Sequence, residues 1–80
     1  LVNINERGTS GNTPLIWAAM NKDLDMVQLL LDFGANINLS NGMEYTAFDI
    51  AINNNDDKLV ALLSNALSNF NNLNSSTIEN

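Results

Sequence analysis

The chain has 80 residues, no cysteine, no histidine and a net charge of −6, with nine acids against Arg7, Lys22 and Lys58. That length allows one small domain with a marginal core and no disulfide to staple it. The acidic balance argues against a nucleic-acid surface, which needs cations to displace counterions, and against docking on an anionic membrane.

Taken in order, Leu1–Asn12 carries a turn signal at Gly8, Thr9 and Ser10, small residues that suit tight backbone. Thr13 can cap a helix whose first turn accepts Pro14, since the missing N–H costs nothing there. Leu15, Ala18 and Ala19 fall at i, i+3 and i+4 on one face. Asn21–Asp23 interrupts, and Asp23 can cap a second helix bearing Leu24, Met26, Val27, Leu29, Leu30 and Leu31. Gly34 ends it, because glycine enters the left-handed conformation without a Cβ clash. Leu39–Tyr45 holds the strongest turn signal of the chain, Asn41-Gly42. Thr46 with Asp49 three residues on predicts a capping box. Asn53–Asp57 is the next break, followed by a helical stripe of Leu59, Val60, Leu62, Leu63, Ala66, Leu67 and Phe70. Asn71–Asn80 shows no periodicity and is expected to fray.

Shifted by 33 residues, the chain matches itself without a gap at ten positions. Asn3-Ile4-Asn5 falls on Asn36-Ile37-Asn38; Thr13, Ala18, Asn21 and Asp23 fall on Thr46, Ala51, Asn54 and Asp56; Val27, Leu29 and Leu30 fall on Val60, Leu62 and Leu63. An ungapped period of this length marks a stacked repeat. The period, the run Thr13-Pro14-Leu15-Ile16-Trp17-Ala18-Ala19, and the exit Gly34-Ala35-Asn36-Ile37-Asn38 resemble the ankyrin repeat over Val2 to Leu67.

The resemblance implies a mainly α fold, a solenoid fragment of helix-turn-helix repeats with hairpin fingers. Residues 1–70 would form the repeat fragment, divided as finger 1–12, repeat 13–34, finger 35–45 and repeat 46–70, with 71–80 as tail. Several positions depart from the family pattern. Ile16 and Asp49 stand where its motif histidine would be, Lys22 and Asn55 replace its inter-helix glycine, and Glu44 replaces the finger glycine matched by Gly11. Leu67 replaces the exit glycine, so the last helix is expected to run on.

Catalysis has little to work with. Without His or Cys no Ser-His or Cys-His nucleophile pair can be built, and zinc lacks its usual ligands. Asp23, Asp25, Asp56 and Asp57 could crowd together, but Asn53–Ser64 fails the calcium-loop pattern, with Lys58 at the glycine position and Ser64 at the bidentate acid. Helix caps and a solvated acidic edge are the expected roles. No cofactor, metal or catalytic residue is assigned. No apolar run nears the roughly 20 residues of a membrane span, and the N-terminus lacks a signal-peptide pattern. Together with the absence of cysteine this suggests an intracellular, cytoplasmic protein. Leu1 is not a start methionine, so a longer parent chain is expected.

In the ankyrin family, fingers and first helices line a concave surface whose residues the core does not dictate, and these bind proteins. Carried across, the contact positions are Thr9, Ser10, Asn12, Met20, Asn21 and Phe33 in the first repeat. In the second they are Gly42, Met43, Tyr45, Asn53, Asn54 and Ala66. The partner expected is a basic protein, weakly held, since few aromatic or arginine anchors are offered. Met43 and Tyr45 belong to no apolar stripe and read equally as contacts or as ordinary exposed side chains. Trp17 could serve as an interaction hot spot, but its match to Ile50 assigns it to the core, with its ring partly uncovered where an upstream repeat is missing. Asn5 and Asn38 close turns by hydrogen bonding; the family's asparagines there can be hydroxylated. Self-association of the fragment is expected through the uncovered face of the first repeat. Two other readings stay open: a structural cap closing a longer stack, and the targeting part of a larger enzyme or effector.

Overall fold

A computed structural model describes residues 3–79, with side chains over 3–68. Four helices follow one another: α1 (Pro14–Met20), α2 (Leu24–Asp32), α3 (Ala47–Asn53) and α4 (Asp57–Glu79). Each begins where a short polar side chain replaces a missing intrahelical acceptor. Thr13 Oγ1 accepts from the Ile16 N–H (3.2 Å), Asp23 Oδ1 from Met26 (3.1 Å) and Asp56 Oδ1 from Leu59 (3.3 Å). Thr46 and Asp49 cap one another reciprocally, each side chain accepting the other's backbone N–H. The acids at 23 and 56 are therefore helix caps. The two positions of the motif histidine have diverged in role: Ile16 is fully buried, and Asp49 completes the capping box.

The helix exits reuse one local device. A residue in left-handed backbone lets two successive N–H groups fold back on carbonyls of the last turn. After α1, Lys22 donates to Ala19 O and Asp23 to Ala18 O; after α3, Asn55 donates to Ile52 O and Asp56 to Ala51 O. After α2, Gly34 and Ala35 do the same to Leu31 and Leu30. Lys22 (φ 58°) and Asn55 (φ 55°) hold this conformation without being glycine, and so does Glu44 (φ 68°) in the finger. The fold thus accommodates these departures from the family pattern, at some local strain. No such exit follows Asp57–Ala66, and α4 continues to Glu79 past Leu67. The side chain of Phe70 and those of the tail lie outside the described residues.

Packing follows the repeat. Leu15, Ile16, Ala18, Ala19 and Val27 from the first helix pair meet Ala47, Ala51, Leu59 and Leu63 from the second in one core. Comparing equivalent positions across the 33-residue shift shows which face each side chain occupies. Met26 is 42% exposed while its match Leu59 is 0%. Trp17 is 53% exposed, whereas Ile50 packs partly against the core. These residues of the first repeat lie on a face that, in the second repeat, the first one covers. At the other end the order reverses: Ile52 is 52% exposed and its match Ala19 is 0%. The core assignment of Trp17 is accordingly corrected. Its position is a stacking position, and among the described residues no preceding helix pair covers it.

The fingers are short. The second closes with an isolated antiparallel bridge between Ser40 and Thr46, and an Asn41 N–H bond to Tyr45 O (2.9 Å). The first repeats that bond as Gly8 N–H to Asn12 O (2.8 Å). A series of bonds ties one finger to the other: Gly42 N–H to Ser10 O (2.9 Å), Arg7 Nε to Ser40 O (3.2 Å) and Asn36 N–H to Asn5 Oδ1 (2.8 Å). Gly11 permits the approach, since a Cβ there would lie 2.8 Å from Gly42 N.

Candidate partner-binding surface

A groove of about 370 Å³ runs between the finger tips and the first helices. Ser10, Asn12, Met20, Met43, Tyr45, Asn53 and Asn54 line it, seven of the twelve positions expected to contact a partner. Three elements bring them together. The turn Thr9–Gly11 presents Ser10, which sits at φ 59° and gives its carbonyl to Gly42. The second finger is fixed by the Asn41 side chain, whose Oδ1 accepts from Met43 N (2.9 Å) and Tyr45 N (3.1 Å). That pins the backbone from which Met43 (71% exposed) and Tyr45 project. The C-terminal ends of α1 and α3 supply Met20 and the pair Asn53-Asn54.

The lining is neutral, a mixture of amides, a hydroxyl and two thioethers, with the Tyr45 phenol. The amides offer both hydrogen-bond donors and acceptors, and the thioethers add polarisable apolar surface. A second hollow of about 390 Å³ adjoins it, sharing Tyr45, Ile50 and Asn53 and adding Glu44, Asp49 and Ile52. Its two carboxylates give that side an acidic edge.

The other positions fall elsewhere. Thr9, Asn21 and Gly42 are exposed but outside the groove lining. Asn21 turns its Nδ2 back onto Trp17 O (3.0 Å). Phe33 caps the end of α2 and is 75% exposed beside the exit turn. Ala66 lines a separate hollow with Asn5, Leu31 and residues 34–38. Asn12 lines the groove from a buried position. It is only 8% exposed, its Oδ1 accepts from Asn41 Nδ2 (3.0 Å), and its carbonyl accepts from Gly8. Its side-chain oxygen serves the stacking of the fingers. Two lining residues escaped the sequence reading, Asn41 and Ile50. Asn41 registers only as a turn residue, and the signal for Ile50 was its place opposite Trp17 in the repeat.

The family described as ankyrin repeats (3 copies) matches residues 1–74. The chain belongs to the ankyrin-repeat family. Among curated ankyrin-containing relatives, alpha-latrotoxin-Lg1a of Latrodectus geometricus is 39% identical over 62 residues, covering 78% of this chain and 4% of the toxin. Alpha-latroinsectotoxin-Lt1a of Latrodectus tredecimguttatus is 41% identical over 59 residues, 74% of this chain and 4% of its own length. The probable palmitoyltransferase AKR2 of Saccharomyces uvarum is 36% identical over 59 residues, 74% of this chain and 8% of the enzyme. The chain thus spans less than a tenth of the length of these relatives. Ankyrin repeats are in general protein-interaction modules and typically non-catalytic. Among the described residues no helix is long and apolar enough to cross a membrane.

Proposed function

We propose that this ankyrin segment is a non-catalytic protein-binding module that grips its partner in the groove between the second finger and the first helices. What supports the reading is the convergence of Met20, Met43, Tyr45 and the Asn53-Asn54 pair on one hollow, on a finger whose backbone is braced by Asn41. Met43 and Tyr45 are the anchors: they are large, exposed and held at little further cost in backbone entropy. The neighbouring Glu44 and Asp49 carboxylates favour a basic residue beside the apolar contact. An intracellular, cytoplasmic setting is part of this reading and rests on composition.

The test is to retain a partner from cell extract on the full chain, then titrate it with Met43→Ala and Tyr45→Ala while following circular dichroism. Each truncation should weaken binding by about 2 kcal/mol or more, as for a hot spot. Stability should move by no more than about 0.5 kcal/mol, as expected for surface changes. Unchanged binding by both variants defeats the proposal.

A second reading is favoured by one observation, the continuation of α4 to Glu79 where the first repeat turns out at Gly34. On that reading the segment closes a stack and binds nothing. The half-exposed Ile52 and Tyr45 on the last face count against it, because a closing repeat needs a polar outer surface. The length of the relatives supports a further possibility, that these repeats deliver a larger protein whose activity resides elsewhere in its chain.

A further inference from the structure

We propose that Asn41 is a deamidation site whose reaction is gated by the stacking of the two fingers. Asn41-Gly42 is the one Asn-Gly pair in the sequence. A following glycine leaves the backbone nitrogen unhindered. In the reaction Gly42 N attacks Asn41 Cγ, the N–Cγ bond forms, and the Cγ–Nδ2 bond breaks. The proton lost from Gly42 N leaves with the amide nitrogen as ammonia. Water then opens the cyclic imide at either carbonyl, giving aspartate or isoaspartate; the sum is one water consumed and one ammonia released.

Every group in that attack is engaged in the stacked fold. The nucleophilic nitrogen donates its proton to Ser10 O at 2.9 Å. The departing Nδ2 donates to Asn12 Oδ1 at 3.0 Å. The remaining side-chain oxygen accepts from Met43 N and Tyr45 N, which fixes the orientation of Cγ. The first two bonds come from the other finger, so the clamp exists only while the fingers are stacked. Opening the stack frees the nitrogen and lets the amide rotate toward it. Reaction then tracks the population of the opened form.

The product also opposes closure. Isoaspartate adds a methylene to the backbone just before Gly42, which displaces the N–H that donates to Ser10 O, and either product adds one negative charge to an acidic chain. This inference is independent of what the groove binds.

The experiment incubates the full chain at mildly alkaline pH, natively and in urea, and maps deamidation by tandem mass spectrometry. In urea Asn41 should react ahead of the other asparagines. Natively it should react at least about tenfold more slowly, the ratio set by 1.4 kcal/mol of opening free energy. Asn12→Ala removes the acceptor for Nδ2 without adding an atom, and Gly11→Ala places a Cβ against Gly42 N. Both should move the rate toward the urea value while helical signal is kept. Equal native and urea rates, a different asparagine reacting first in urea, or a folded Asn12→Ala chain with the native rate would each overturn the proposal. The native-against-urea comparison decides if a variant fails to fold.

Discussion

The two repeats offer a matched pair of substitutions at equivalent positions, Met26→Ala and Leu59→Ala. Both residues follow their helix N-cap by three positions, at Asp23 and Asp56. They differ in surroundings: Leu59 is 0% exposed and Met26 is 42%. Truncating Leu59 removes a fully packed side chain and leaves a cavity, at about 2–5 kcal/mol. Met26 keeps a little over half of its surface from water, and full burial of such a side chain contributes about 1.5–3 kcal/mol, so its loss should cost about 1–2 kcal/mol. At about 0.05–0.15 kcal/mol per residue the whole chain has roughly 4–12 kcal/mol, so Leu59→Ala removes a large share of it. Urea titration followed by far-ultraviolet circular dichroism measures both, with the denaturant slopes compared to confirm that the same surface unfolds. Equal losses, or a larger loss for Met26→Ala, would refute the assignment of Met26 to an uncovered stacking face.

Lys22→Gly should stabilise the chain by about 1 kcal/mol, because the left-handed backbone at φ 58° penalises a Cβ and glycine has none. Asn55→Gly should change stability less, asparagine being more at ease there, and thermal melts of the two variants check the order. The chain should also associate head to tail in a concentration-dependent manner, since the face bearing Trp17 and Met26 and the face bearing Ile52 are the two halves of the contact already present between its repeats. Sedimentation velocity over a concentration series should show a rising mass that Trp17→Ser reduces; a constant monomer would refute it.

Local chemistry was legible in the sequence. Caps at Thr13, Asp23 and Thr46, the exit at Gly34 and the continuation past Leu67 each depend on a few adjacent residues, and each is found as expected. The surroundings of Trp17 and Asn12 were less legible, for a shared reason. Repeat matching tells which residues are equivalent, but burial depends on whether a neighbour lies on the matching side. Ile50 has α1 beside it and Trp17 has no counterpart among the described residues, while the Asn12 side-chain oxygen is claimed by an amide 29 residues away. The groove lining was partly legible because the fingers recur with the period. The expected positions outside it, Phe33 at the end of α2 and Ala66 within α4, lie where family position alone does not separate one surface from the other.

The bonds that join the fingers connect residues 29 to 33 positions apart. During synthesis this spacing becomes a delay. When α1 and α2 have emerged, the apolar face they share with the second helix pair has nothing to meet until α3 and α4 follow. At about 5–20 residues per second, the 33 residues of one period take roughly 2–7 s, far longer than a helix needs to form. For that interval the nascent chain presents Leu15, Ala19 and Val27 to its surroundings, so this is when a chaperone would engage it.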